Sequence, residues 1–483
     1  MTRRTHTPVF SRRSALRILA SSPAVLALAA CGESEPEQTT PPPSTGRSDL
    51  DAALRRAQTV AATVTEQAPD PGSSLPKPGE KRKVLVGALP LEIAGGRLFA
   101  LFANGLPEAG RVSEGRYDFD AIPLDRYESD EWRMSRALMA AEPSAPELMA
   151  HFGTDLDDLV GHDQLLPLDD FLAADPDFDA GAFWPGALEA GQREGVQFGL
   201  PFAVSPDFTF VNGQLAAERG IELPDPSLQA FTTAAYLRTA QAFHEPDPPD
   251  GGVGTRGILG VVLSEPTARG DYIVIPPVTD ALLSALGEIR DSAGGFTPLQ
   301  SEKARDVLEF YRDLTHRHEL LPIGGFDLDR YREAGTWGLG FTTIAFSQTV
   351  DFGTNNRVYP FPNFGSGRNP AGTFLLSVVK SAKDPDVAYD AFRHLYSVMA
   401  LESSLPPYRV QADAIRRLMP ELHGDDEHVL VHLLENAVFH DLSMDEFQVL
   451  GSTLVRDVLL GDTDPGEGLR KAIEELQATS SGS

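Results

Sequence analysis

The acidic run Asp175-Pro-Asp-Phe-Asp-Ala-Gly181 opens with the Asp-x-Asp-x-Asp spacing that supplies the first ligands of a calcium loop. Such a loop needs glycine at its sixth position and a bidentate glutamate at its twelfth. Ala180 and Gly186 stand there instead, so no calcium site is expected. His428 and His432 lie four apart on a predicted helix with Glu427 and Glu435 close by. That spacing suits a metal, but without a third ligand the pair reads as two surface residues, and no metal or cofactor is expected. The 70 acidic residues could supply the two facing carboxylates of a glycosidase, yet no motif singles out a pair. Neither His-Glu-x-x-His, Gly-x-Ser-x-Gly nor a Walker loop is present.

The chemistry of the one cysteine is set by its position. Cys31 follows Leu28-Ala29-Ala30, behind a start that carries Arg3, Arg4, Arg12, Arg13 and Arg17 and no acid before Glu33. The apolar part, Ile18 to Ala30, is too short and too rich in small residues to span a bilayer. A charged start, a short apolar middle and small residues before a cut describe a secretory signal. Arg12-Arg13 followed by Leu16 resembles a twin-arginine export signal, and Leu28–Cys31 resembles a lipobox. Cys31 is therefore expected to be lipidated and to anchor the chain on the extracytoplasmic face of the cell membrane.

The chain of 483 residues carries a net charge of −29, and removing a leader with five arginines and no acid takes it to −34. Such a surface disfavours nucleic acid and anionic lipid as partners. With Cys31 lipidated no disulfide remains, so stability rests on a large core, which 41% hydrophobic residues can supply.

These features divide the chain. Residues 1–30 read as signal peptide, and 31–80 as a tether holding an amphipathic helix over Ser48–Gln67. From Lys81 strands and helices alternate. Strands are predicted at Lys83–Leu89, Tyr117–Leu124, Glu147–Phe152, Arg256–Leu263 and Gly335–Phe346. Helices are predicted at Gly96–Leu106, Asp130–Ala141, Lys303–Leu314, Asp386–Met399 and Asp445–Leu459. The β-α-β-α-β order implies a parallel sheet covered by helices on both faces. Gly199–Asn212 is one long extended run with two prolines, and Asn356–Ala382 reads as strand, Gly/Pro/Asn loop and strand. Both read as crossovers between lobes. The expected architecture is α/β, a bilobed clamp with lobe 1 at 81–203 and 343–380, lobe 2 at 204–342 and 381–475, and a disordered tail at 476–483.

The order of short motifs resembles one family. "GHDQLLPLDDF" (Gly161–Phe171), "AFWPGALEAGQREGVQFG" (Ala182–Gly199), Leu200–Asn212, Gly220–Pro224, Arg332–Phe341, Tyr359–Pro362 and "SAKDPDVAYDAFRHLY" (Ser381–Tyr396) are similar, in sequence order, to stretches of the extracellular solute-binding proteins of ABC importers. The nearest branch is the sugar- and oligosaccharide-binding one, of maltose-binding-protein type. Ala140–Glu147 departs from it, and Phe208 and Phe210 stand where it has tyrosines.

The resemblance implies a type II periplasmic-binding-protein fold, a monomer without enzymatic activity, a solute that is most often a saccharide, and an ABC permease as partner. It points to a cleft lined by His151, Phe152, Thr154 and Asp155 after the third strand, Phe202, Ser205 and Asp207 on the first crossover, Asp271 and Tyr272, and Thr342 and Phe346. The phenylalanines at 208 and 210 would leave that cleft short of phenol donors and favour a smaller or more apolar solute. Asp155, Asp207 and Asp271 read equally well as helix caps, and Trp184 and Trp337 as core. A secreted lipoprotein glycosidase or lyase, and a surface scaffold with a degenerate cleft, are the alternatives.

Overall fold

The structure, a computed structural model, describes residues 75–76, 80–88, 105–123, 145–248, 253–258, 261–266, 272–275, 277–321, 331, 334–343, 355–402, 405–419, 422 and 424–482. The leader, Cys31, the helix expected at Ser48–Gln67 and the one expected at Asp130–Ala141 lie outside them. All described residues belong to the compact unit Ser48–Ser483.

Nine strands form one sheet: β1 (Arg82–Ala88), β2 (Tyr117–Pro123), β3 (Leu148–Phe152), β4 (Gly199–Asn212), β5 (Arg256–Ile258), β6 (Trp337–Thr343), β7 (Asn356–Tyr359), β8 (Asn369–Val378) and β9 (Ala437–Phe439). The main path runs β2-β1-β3-β8-β4-β6-β5, with β7 beside β4 and β9 beside β8. β1 pairs in parallel with β2 and β3, as the βαβ order requires. The sheet as a whole is mixed, because β8 runs antiparallel to β3 and β4, and β6 antiparallel to β4. The parallel pairing expected from the βαβ order holds for β1, β2 and β3, and the antiparallel pairs come where the chain changes lobes.

The helices that carry the argument are α1 (Val278–Leu286), α2 (Glu302–Arg312), α3 (Pro385–Glu402), α4 (Asp426–Glu435), α5 (Met444–Leu454) and α6 (Pro465–Gly482). Their starts follow the side chains. Ser301 accepts the Ala304 N–H ahead of α2, and Ser443 and Glu446 form a reciprocal capping box at α5. Of the first predicted helix, the described part runs over 105–112. The strand predicted at Arg256–Leu263 divides into β5 and a separate hairpin strand, Val261–Pro266.

Alternation along the strands builds cores on both faces. On β8, Phe374, Leu376 and Val378 enter one core with Val84, Val86, Phe202 and the inner face of α3. Leu375 and Val379 enter the opposite one with Met149, Leu156 and Leu159. These make lobe 1. Lobe 2 is cored by Val211, Phe243, α1, α2, α5 and α6, and on its other face by Phe208, Phe210, Trp337 and the apolar side of α4.

Three boundaries differ from the sequence reading. α3 belongs to lobe 1, not lobe 2. Its Tyr389, Phe392 and Tyr396 form a ladder of stacked rings that Phe171 extends, 4.5 Å from Tyr389. Its Asp390 accepts hydrogen bonds from Tyr117 (2.6 Å) and Arg116 (3.1 Å). The chain therefore crosses between lobes a third time, after α3. The tail expected from 476 is instead the last part of α6, with Leu476 fully buried.

Glycines in "TWGLGF" serve close packing. A Cβ at Gly340 would stand 2.0 Å from the Phe210 ring, which lies across β6 at the paired position. Gly340→Ala is expected to cost roughly 1–3 kcal/mol, the usual penalty of overpacking. Urea midpoints at constant slope measure it, and an unchanged midpoint would mean that the ring swings aside freely.

Candidate functional site at the lobe junction

β4 is buried along its whole length, so each of its backbone groups must find a partner inside the protein. Its N-terminal half pairs with β8, ending at Pro206 opposite Ala371. Its C-terminal half pairs with β6, starting at Asp207 opposite Thr343. Pro206 has no N–H to satisfy and sits where the partner changes. The other proline, Pro201, lies beside the register shift at Phe374/Leu375.

Asn369 fastens the switch point. Fully buried on β8, it donates through Nδ2 to the Asp207 carbonyl (2.7 Å) and the Pro370 carbonyl (2.9 Å), and its Oδ1 accepts the Phe361 N–H (3.0 Å). Its own N–H donates to the Asn436 carbonyl at 3.0 Å, which brings in β9, parallel to β8 from Asn369↔Ala437. Two passages between lobes, β4 and β8, thus lie side by side, and β9, which follows α4 within lobe 2, pairs with the start of β8. Ser284 on α1 donates to the Arg368 carbonyl (3.0 Å), and Ser366 donates to the Ser284 carbonyl (2.5 Å), tying α1 to the same point.

Asp207 projects from this switch into a cluster with Asp280 and His440. Asp280 stands in the first turn of α1, where the helix dipole favours a carboxylate. His440 follows β9, and its Nε2 lies 2.9 Å from Asp280 Oδ1. Its ring meets the edge of Phe447 at 5.1 Å, and its Nδ1 is buried without a hydrogen-bond partner. Asp207 and Asp280 share a hydrogen bond. Burial, and then the neighbouring Asp280 carboxylate, push the Asp207 carboxyl well above the usual carboxylate range.

The residues picked from sequence divide. Asp207 belongs to this cluster, and Ser205 lies two residues before it, buried on β4. His151 is buried between β3 and β8, its Nε2 2.9 Å from Ser377 Oγ and its Nδ1 2.8 Å from the Phe152 carbonyl. Asp155 accepts the Phe152 N–H at 3.0 Å and so caps the turn after β3, which is the capping alternative. The Thr154 hydroxyl beside it is buried without a partner. Phe202 is no cleft platform: it is fully buried in the lobe 1 core, facing Phe374 at 6.2 Å. Tyr272 lies on the hairpin strand Tyr272–Ile275 and Thr342 on β6, while Asp271 and Phe346 lie outside the described residues.

Phe208 and Phe210 are core residues, Phe210 edge-on to Trp337 at 5.2 Å, so they carry no information about phenols in a cleft. Trp184 and Trp337 are core, as expected. The acidic run 175–181 is occupied by turns: Asp175 and Asp179 accept backbone N–H groups, and Arg393 pairs with Asp175 (2.9 Å) and Asp177 (3.8 Å). Sequence reading missed Asp280 and His440, which no local motif marks.

No protein-family model matches the chain, and no curated protein does. Solved structures do. An ABC substrate-binding protein from Listeria monocytogenes in complex with cycloalternan superposes with a TM-score of 0.64 at 15% identity, covering 83% of this chain and 99% of that one. The sugar-binding protein MalE from Xanthomonas citri gives 0.63 at 17% identity, with 83% and 98% covered. UgpB from Mycobacterium tuberculosis in complex with glycerophosphocholine gives 0.61 at 12%, with 82% and 98% covered. The chain has the bilobed α/β fold of these binding proteins, as its sequence pattern implied.

The Asp207 assignment has a consequence for stability. An unfolded aspartate releases its proton near pH 3.9. The folded carboxyl holds its proton to higher pH, so the stability this group contributes is fully present below about pH 4 and is lost as pH rises until the folded group ionises, with a limiting slope near 1.4 kcal/mol per unit. Asp207→Asn keeps a neutral donor beside Asp280 and removes this fall. Urea midpoints between pH 4.5 and 8 with EDTA present are expected to show a gain from the substitution that grows with pH. A gain constant with pH would take the proton away from this pair.

Proposed function

We propose that the chain is an extracytoplasmic receptor that captures a small solute, a carbohydrate in the first instance, between its lobes and delivers it to an ABC permease. The observation that carries this reading is the junction itself. Two separately cored lobes are joined by two adjacent strands, β4 and β8, the first of which changes hydrogen-bond partners midway. That is a hinge, and it supports opening and closing around a ligand. The solved structures it resembles include an ABC substrate-binding protein in complex with cycloalternan, UgpB in complex with glycerophosphocholine, and a protein named as sugar-binding.

The leader supports the rest. A twin-arginine-like export signal and a lipidated Cys31 would place a monomeric chain on the outer face of the membrane, with 32–80 as tether. The ligand residues we assign to the cleft are Ser205, Thr154, Asp271, Tyr272, Thr342 and Phe346, with His151, Phe152 and Asp155 shaping the loop after β3. Closure follows if the solute binds the closed form more tightly than the open one. On this reading no bond of the solute is broken, and the protein is no enzyme.

A thermal-shift screen against malto-oligosaccharides, monosaccharides, polyols, glycerophosphodiesters, amino acids and short peptides tests this. A ligand at one hundred times its dissociation constant adds about 2.7 kcal/mol. The expected result is a saccharide that raises the melting temperature and is recovered unchanged. Recovery of a product would make the protein a carbohydrate-active enzyme, and a flat screen would make it a scaffold.

A further inference from the structure

Solute capture does not explain the Asp207–Asp280–His440 cluster. Its members come from a crossover strand, a helix start and the turn after β9, yet one donor atom from each lies within 4.8 Å of the other two. Asp207 is 4% exposed and Asp280 9%. Among the described residues neither carboxylate is paired with a lysine or arginine, and Asp280 meets His440 instead. Two carboxylates buried together without a cation repel strongly and lose their hydration. One shared proton relieves half of this charge. With the imidazole neutral, it still leaves one net negative charge in a dry site. A divalent cation brings two carboxylates and a neutral imidazole to zero.

We propose that Asp207, Asp280 and His440 hold one divalent transition-metal cation of the zinc class. One oxygen from each carboxylate and the His440 Nε2 are the ligands, and a fourth position is left to water or solute. The donor set is a mixed oxygen and nitrogen one, which suits zinc better than calcium or magnesium. Zinc draws such ligands into a tetrahedron with bonds of about 2.0–2.2 Å. Three donors already this close need only small side-chain movements to reach it. The cation would tie β4 to α1 and to the turn after β9, three elements distant in sequence, at the point where the lobes meet. This inference is independent of the solute reading, and either can fail alone.

The full chain, stripped with EDTA and dialysed, is titrated with zinc chloride by calorimetry, and its melting is followed with and without the metal. Cobalt chloride serves as the spectroscopic probe. One equivalent per chain, a raised melting temperature and visible cobalt bands of a four-coordinate site are expected. His440→Gln and Asp280→Asn are each expected to weaken zinc by at least the roughly 10- to 100-fold that loss of a mere outer-shell partner costs, with the metal-free circular dichroism unchanged. If Asp280→Asn does not fold, His440→Gln decides. Equal affinity in His440→Gln and the parent chain would assign the metal to surface carboxylates and overturn the proposal. No one-to-one binding would overturn it too. In that case a melting temperature that rises with falling pH, and loses this rise in Asp207→Asn, would identify the cluster as a proton-sharing pair.

Discussion

The fold depends on one constraint: a strand that passes between two lobes must keep every backbone polar group paired while it exchanges one neighbouring strand for another. β4 meets it by changing partner from β8 to β6 between Pro206 and Asp207. Proline at that point removes the N–H that would be hardest to satisfy. Asn369 supplies three side-chain hydrogen bonds that hold the two passages in register. β9, from lobe 2, then pairs with the start of β8, where the Asn369 N–H donates to the Asn436 carbonyl. β4 and β8 are thus held together on both sides of the switch point.

Charge is arranged differently at the surface and at this junction. The chain is strongly acidic, and its arginines are largely engaged with particular acids. Arg116 pairs with Asp390, Arg357 with Asp426 and Arg393 with Asp175, each across long stretches of sequence. These pairs fix helices to sheets. At the junction no such cation stands beside Asp207 and Asp280 among the described residues. Nature rarely buries two carboxylates so close without something to neutralise them, and the cluster is therefore better read as a place where a proton or a cation is exchanged than as part of the scaffold.

Much of the fold could be read from the sequence. The run Gly199–Asn212 is a strand over those very residues because it is mostly apolar, β-branched or aromatic and bounded by Gly and Asn. The same holds for β1, β3 and α2, where local pattern and tertiary burial agree. The amphipathic pattern of α3 says that it packs, but not on which lobe; Tyr117 at the start of β2 and Arg116 just before it decide that. Phe202, Phe208 and Phe210 were over-read for function, since an aromatic in a buried strand fills a core before it faces a ligand. Asp280 and His440 carry no motif. They gain meaning only when the fold brings β9 beside β8, a contact that no local spacing encodes.

The central claim is that this junction lets two lobes close on a solute. With Cys31 as the only native cysteine, spin labels can be placed cleanly at Asp170→Cys in lobe 1 and Glu302→Cys in lobe 2 of a Cys31→Ser chain; both positions are exposed. The interlabel distance distribution, measured by pulsed electron paramagnetic resonance with and without a saccharide that binds, is the direct test. The account predicts that the ligand shifts the distribution to a second, narrower distance, shorter than that of the free chain if the labels face the closing side. An unchanged distribution at saturating ligand would show a rigid body and contradict the hinge.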